Sequence, residues 1–256
     1  MKKNVMMRLA SFLLVAVLIS TSAISGTYAK YVTADNASDT ARVAKFGVVA
    51  TVDGTLFAKN YVDVDNGNTP TDSGKLTVES QTSAQVVAPG TKNAEGMTIT
   101  LTGRPEVDVA VEFKFEAKKE IKLNANTTFD NPTTGEVDDN YTVAADYYPV
   151  IFTLKDGNDN VLVTGNVAAI QTYLTNTLNK TYEAGTTLAK IVTNNTGIYT
   201  LTWEWAFQNA VENVDVLDTY LGNAATNKYF GNTTFPTDGT ELEMDVTFSL
   251  SVTQVD

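Results

Sequence analysis

Successive side chains of a β-strand point to opposite faces, so apolar residues at every second position mark a strand with one face in a core and the other in water. The stretch RPEVDVAVEFKFEAK places Val107, Val109, Val111, Phe113 and Phe115 on one face and Asp108, Glu112, Lys114 and Glu116 on the other. GIYTLTWEWAF repeats the pattern with Tyr199, Leu201, Trp203, Trp205 and Phe207. LEMDVTFSLSV does so with Leu242, Met244, Val246, Phe248, Leu250 and Val252. Clean alternation of this kind predicts antiparallel strands, because parallel sheets are buried on both faces and read as continuous apolar runs.

Shorter strands are expected in ARVAKFGVVATV, with Ala44, Phe46, Val48, Ala50 and Val52 inward, and in KLTVES, SAQVVAP and GMTITLT. YYPVIFTLK and VLVTG flank DGNDN, whose Gly and Asn tolerate the positive φ of a tight hairpin. Ala88-Pro89-Gly90-Thr91 reads as another turn, and Gly103-Arg104-Pro105 separates two strands expected to pair.

Two stretches change period. NVAAIQTYLTNTLNK spaces Ile170, Leu174 and Leu178 four apart behind an Asn166 cap, predicting a helix over 166–180. VENVDVLDTYLGNAA predicts a second near 211–224, with Val214, Leu217 and Leu221 on one side and Gly222 near its end. Asn- and Asp-rich loops are expected at 65–74, 124–142 and 231–240. Roughly nine strands with two helical insertions predict a mainly β fold, an antiparallel β-sandwich of jelly-roll type formed by one domain over 41–256.

The N-terminus obeys neither period. MKKNVMMR is basic, LASFLLVAVLI is apolar, and small residues follow at Thr27 and Ala29. This is the layout of an export leader over 1–29, cleaved between Ala29 and Lys30, and its apolar core is shorter than the ~20 residues that span a bilayer. The mature protein is therefore expected outside the cell, without a membrane anchor. Residues 30–40, KYVTADNASDT, form a polar arm before the first strand, with Tyr31 and Val32 as its apolar anchors.

The net charge is −12, and losing Lys2, Lys3 and Arg8 with the leader takes it to −15. Such a chain repels phosphate backbones, which argues against nucleic acid as a partner. The absence of Cys leaves an exported domain to be held by packing and hydrogen bonds alone. The absence of His removes the usual general base and zinc ligand. No phosphate-cradling glycine loop is present, and no G-x-S-x-G elbow.

Carboxylate pairs could hydrolyse glycosides without histidine. The alternation, however, assigns Glu112, Glu116 and Glu204 to solvated strand faces. Calcium is the metal this composition could serve, through Asp63 and Asp65 in DVDNGN or Asp156 and Asp159 in KDGNDN. The first places Gly67 one position early for an acidic calcium loop and lacks the matching Glu; the second reads equally as a turn. The parity that Trp203 and Trp205 share with Leu201 assigns them to the core rather than to a sugar-stacking platform. No catalytic, cofactor-binding or metal residue is expected from these patterns.

At the leader junction, Gly26, Thr27, Ala29 and Tyr31 resemble the G-T-x-A-x-[FY] boundary cut by the SipW-type signal peptidase of Gram-positive bacteria. Its substrates include the TasA/camelysin family of biofilm-matrix fibre proteins. ARVAKFGV, the APGT turn, the Trp-x-Trp strand and the closing Thr-Gln-Val-Asp are similar to secreted proteins with this leader. The resemblance implies a non-catalytic subunit of an extracellular fibre. Its N-terminal arm would add as a strand to another copy, or to a related matrix protein. A cell-surface adhesin or glycan-binding sandwich is the alternative, and a peptidase or glycosidase a distant third. The metallopeptidase label attached to camelysin-like proteins is not supported by a chain without His or Cys.

Overall fold

A computed structural model describes residues 42–64, 76–82, 84–134, 139–190, 197–207, 211, 213–230 and 241–255, with backbone alone at 62–64, 76, 190 and 227–230. Within them the protein is mainly β, with antiparallel sheets and two short helices.

The larger sheet has five strands in the order β1-β4-β11-β8-β9: β1 (Val48–Asp53), β4 (Lys92–Gly103), β11 (Ile198–Glu204), β8 (Ile151–Asp156) and β9 (Val161–Gly165). The second has three, β10-β5-β12: β10 (Lys180–Tyr182), β5 (Val109–Lys119) and β12 (Asp245–Gln254). Two small hairpins complete the strands, β2 (Asn60–Val64) with β3 (Leu76–Glu79) and β6 (Thr128–Asp130) with β7 (Asn140–Thr142). The β6–β7 hairpin lies where the sequence suggested only loop. Its short span gives little room for periodicity, and pairing of Phe129 with Tyr141 holds it.

The two main sheets face each other through the residues the alternation placed inward. Phe113 of β5 meets Tyr199 of β11 edge-on at 5.6 Å between ring centroids, and Phe115 meets Phe152 of β8 at 5.0 Å. Val109, Val111, Phe113 and Phe115 are buried, as are Tyr199, Leu201, Trp203 and Trp205. Each large apolar side chain removed from water in this way contributes roughly 1.5–3 kcal/mol. The outer face of the larger sheet is rich in threonine: Thr51 pairs across from Thr100, Thr98 from Thr200, and Thr153 from both Thr202 and Thr164. β-Branched residues suit such a half-covered pleated face.

Gly103-Arg104-Pro105 does not join paired strands, contrary to the sequence expectation. β4 pairs with β1 and β11, whereas β5 pairs with β10 and β12, so the chain changes sheets at this point. Gly103 has φ 118°, and a Cβ on it would lie 2.1 Å from the Gly47 carbonyl oxygen. Only glycine lets the corner approach the incoming chain this closely. SAQVVAP likewise contributes a single bridge, Val86 to Ala58, rather than a strand.

The first helix, α1 (Val167–Tyr173), continues as one wider turn over Leu174–Leu178. Asn166 caps it by accepting the Ala169 N–H at 3.0 Å, and Ile170, Leu174 and Leu178 are buried. Helix α2 (Val214–Phe230) buries Val214, Leu217, Leu221 and Ala224. It runs past Gly222 rather than ending there. Mid-helix glycine costs only about 1 kcal/mol, too little to stop a helix anchored by Leu221 and Ala224 on either side.

Candidate assembly edge

An exposed sheet edge presents a row of backbone donors and acceptors to any strand that approaches. The fate of the four outer edges, those of β9, β10, β1 and β12, therefore decides what this sandwich can pair with.

Beyond β10, the edge of β5 is closed by side chains. β10 covers Val109 to Val111, and the side-chain amide of Asn179 then takes over. Asn179 accepts the Phe113 N–H at 2.7 Å and donates to the Phe113 carbonyl at 2.9 Å. Gln171, from α1, accepts the Phe115 N–H at 2.6 Å. A primary amide carries the same donor and acceptor as a peptide group, so these two residues act as a substitute strand. β9 is short, is bulged against β8 between Leu154 and Lys155, and has α1 packed on it.

The opposite side differs. β1 and β12 lie beside each other at the ends of their sheets, and among the described residues no strand pairs with the outer edge of either. The inward row of β12 is only half-buried at Val246, Phe248, Leu250 and Val252, while the equivalent residues of β5 are fully buried. On β1 only Val48 and Val52 are half-buried; Ala50, expected inward, is exposed, as are Val49 and, ahead of the strand, Ala44 and Phe46, also expected inward. Alternation assigned the face correctly on β12, but depth requires a paired strand on each side, and among the described residues only β5 pairs with β12.

The chain reaches this open side at a fixed point. Lys45 accepts the Glu106 N–H at 2.8 Å through its carbonyl and donates its own N–H to the Glu106 carboxylate at 2.8 Å. The Gly47 carbonyl accepts the Arg104 N–H. The cleavage pair Ala29 and Lys30 and the arm residues Tyr31 and Val32 lie outside the described residues.

Elsewhere the acidic side chains have structural work. Asp156, buried at 2% exposure, accepts the N–H groups of Asn158 (2.9 Å) and Asn160 (3.0 Å) and the Asn160 side-chain amide, closing the β8–β9 turn in which Asp159 takes φ 62°. Asp65 lies outside the described residues, and Asp63 sits in β2. Among the described residues no three acidic side chains gather closely enough to hold a metal ion. Glu112, Glu116 and Glu204 are exposed.

Trp203 is core and donates its indole N–H to the Leu56 carbonyl at 2.5 Å, a backbone position also held by Asn93 at 2.9 Å. Glu120 accepts the first N–H of α1, that of Val167, and burial raises its pKa. An open cleft of about 280 Å³ beside it is bordered by Lys118, Lys119, Lys122, Tyr148 and Glu241; its three lysines face two glutamates, Glu120 and Glu241, and Lys119 is already paired with Glu243.

Sequence reasoning overlooked Asp218. This α2 carboxylate is buried and accepts the Tyr147 hydroxyl at 2.6 Å. Burial pushes its pKa up to about 6; Tyr147 and the nearby Trp205 indole oppose the shift, and Asp215 on the same helix adds to it. The Trp205 N–H faces the carboxylate without completing a hydrogen bond. Helical spacing could have revealed this residue, because Asp218 follows Leu217 on the buried side.

The chain matches no protein-family model, no curated protein and no solved structure.

Proposed function

We propose that this chain is an exported, non-catalytic structural protein, the subunit of an extracellular biofilm-matrix or pilus-like fibre that assembles by strand donation. The observation that carries this reading is the open side of the sandwich, where β1 and β12 end their sheets and the apolar row of β12 is half-covered. Such an edge is a standing invitation to another strand, and proteins that do not use one usually block it with charge, proline, a bulge or a covering element. The β5 edge is blocked by Asn179 and Gln171; β12 has a bulge only at its start, between Asp245 and Val246, carries neither charge nor proline along Val246 to Val252, and among the described residues no strand pairs with its outer edge.

The donor in this reading is the arm, residues 30–40, released by cleavage between Ala29 and Lys30. Main-chain hydrogen bonds supply affinity in strand addition, and side-chain pockets supply specificity. The resemblance of the leader junction to those of the TasA/camelysin fibre proteins supports the same conclusion, and with it a jelly-roll order for the two facing sheets. A synthetic peptide of residues 30–40 titrated into protein beginning at residue 41 should bind with one-to-one stoichiometry and raise its melting temperature. A peptide with no effect at millimolar concentration would count against strand donation. Retention on a polysaccharide array by a protein that stays monomeric would favour the adhesin reading instead.

A further inference from the structure

The geometry points to the outer edge of β12 in a second copy as the acceptor, with the donated arm running antiparallel to it; this rests on the strand-donation reading above. Three observations carry the assignment.

The first is direction. The incoming chain is pinned at Lys45 to Glu106, and Gln254, at the C-terminal end of β12, pairs with Val109 just beyond that point. The Val255 N–H continues the contact to the Asp108 carbonyl at 2.9 Å. β12 thus runs toward the end of the sandwich at which the chain arrives. An arm laid on β12 of its own body would run toward Lys45 as well, parallel to β12. Every strand pair among the described residues is antiparallel, and antiparallel pairing is the more stable per residue. Only an arm from another copy can meet β12 antiparallel without a long reversal.

The second is length. β12 is 10 residues long, and an 11-residue extended arm spans roughly 36 Å, enough to follow it from end to end. β1 offers six. The third is what the new strand would cover. On β12 it would lie over Val246, Phe248, Leu250 and Val252 as a continuous row, whereas the two half-buried residues of β1 are separated by three exposed ones.

The absence of cysteine makes a direct test available. Single cysteines at positions 32–38 of the full exported chain are combined with Thr247→Cys, Ser251→Cys or, as the β1 control, Val49→Cys, and oxidised after assembly. All three body positions are solvent-exposed, so the fold tolerates them. The antiparallel arrangement predicts that cysteines near Val32 join Ser251→Cys, that those near Ser38 join Thr247→Cys, and that both give covalent ladders between copies. Amide exchange across 246–252 should also slow by at least about 100-fold on assembly of the unmodified chain.

The reverse pairing, ladders through Val49→Cys, or disulfides closed within a monomer would each overturn the assignment while fibres still formed. Unmodified chains that form no fibres would instead remove the reading on which it rests.

Discussion

Asn179 makes two hydrogen bonds to one residue on a neighbouring strand, accepting from the Phe113 N–H and donating to the Phe113 carbonyl. It stands directly before Lys180, the first residue of β10, so a three-residue strand is lengthened by an amide side chain. Replacing Asn179 with Ala leaves both backbone groups of Phe113 without partners in a half-buried setting. We expect a loss of about 2–3 kcal/mol, read as a lower urea midpoint with an unchanged m-value.

Gly103 and Gly222 should respond in opposite directions to alanine. At Gly103 the new methyl would meet the Gly47 carbonyl oxygen at 2.1 Å with φ at 118°, so G103A should cost at least about 3 kcal/mol or prevent folding. At Gly222, inside α2, a Cβ meets nothing within 4 Å. G222A should therefore stabilise by about 0.5–1 kcal/mol. Thermal unfolding of the two variants checks both signs.

Asp218 gives the fold a defined pH dependence. Its folded pKa, about 6, is above the ordinary 3.8, so its contribution to stability is fully present below pH 3.8 and is lost as pH rises through 6. D218N keeps an acceptor for the Tyr147 hydroxyl without the buried charge. The variant should be more stable than the parent by about 2 kcal/mol at pH 8, a gap that closes toward pH 4. Urea denaturation of both proteins across that range measures it.

Asp156 should behave as a turn residue. D156A removes the acceptor for two turn N–H groups and should cost about 1–3 kcal/mol. Because that carboxylate is already satisfied, the parent's melting temperature should be the same in millimolar calcium and in chelator. A calcium-dependent rise lost in D156A would assign the metal to this turn.

Period-two alternation was enough to read β5 and β11 side chain by side chain, since both are central strands whose inward residues are covered from both sides. It read β12 only by face. Phe248 and Leu250 have the parity of core residues, yet they lie on an edge, and edge position is a property of topology rather than of local pattern. Topology was also what made Gly103 misleading, because a glycine before proline marks a turn without saying whether the chain stays in its sheet. The amide clip of Asn179 and Gln171 has no periodic signature at all. Both sit on a polar helix-and-turn surface, and their role exists only once Phe113 and Phe115 are placed against them.

Strand donation makes residues 30–40 the join between copies of this chain. Electron microscopy with sedimentation velocity on protein spanning Lys30–Asp256, alongside protein beginning at residue 41, reads that role out. Long fibres from the first and folded monomers from the second are the predicted result. Monomers from both, or fibres from both, would contradict it.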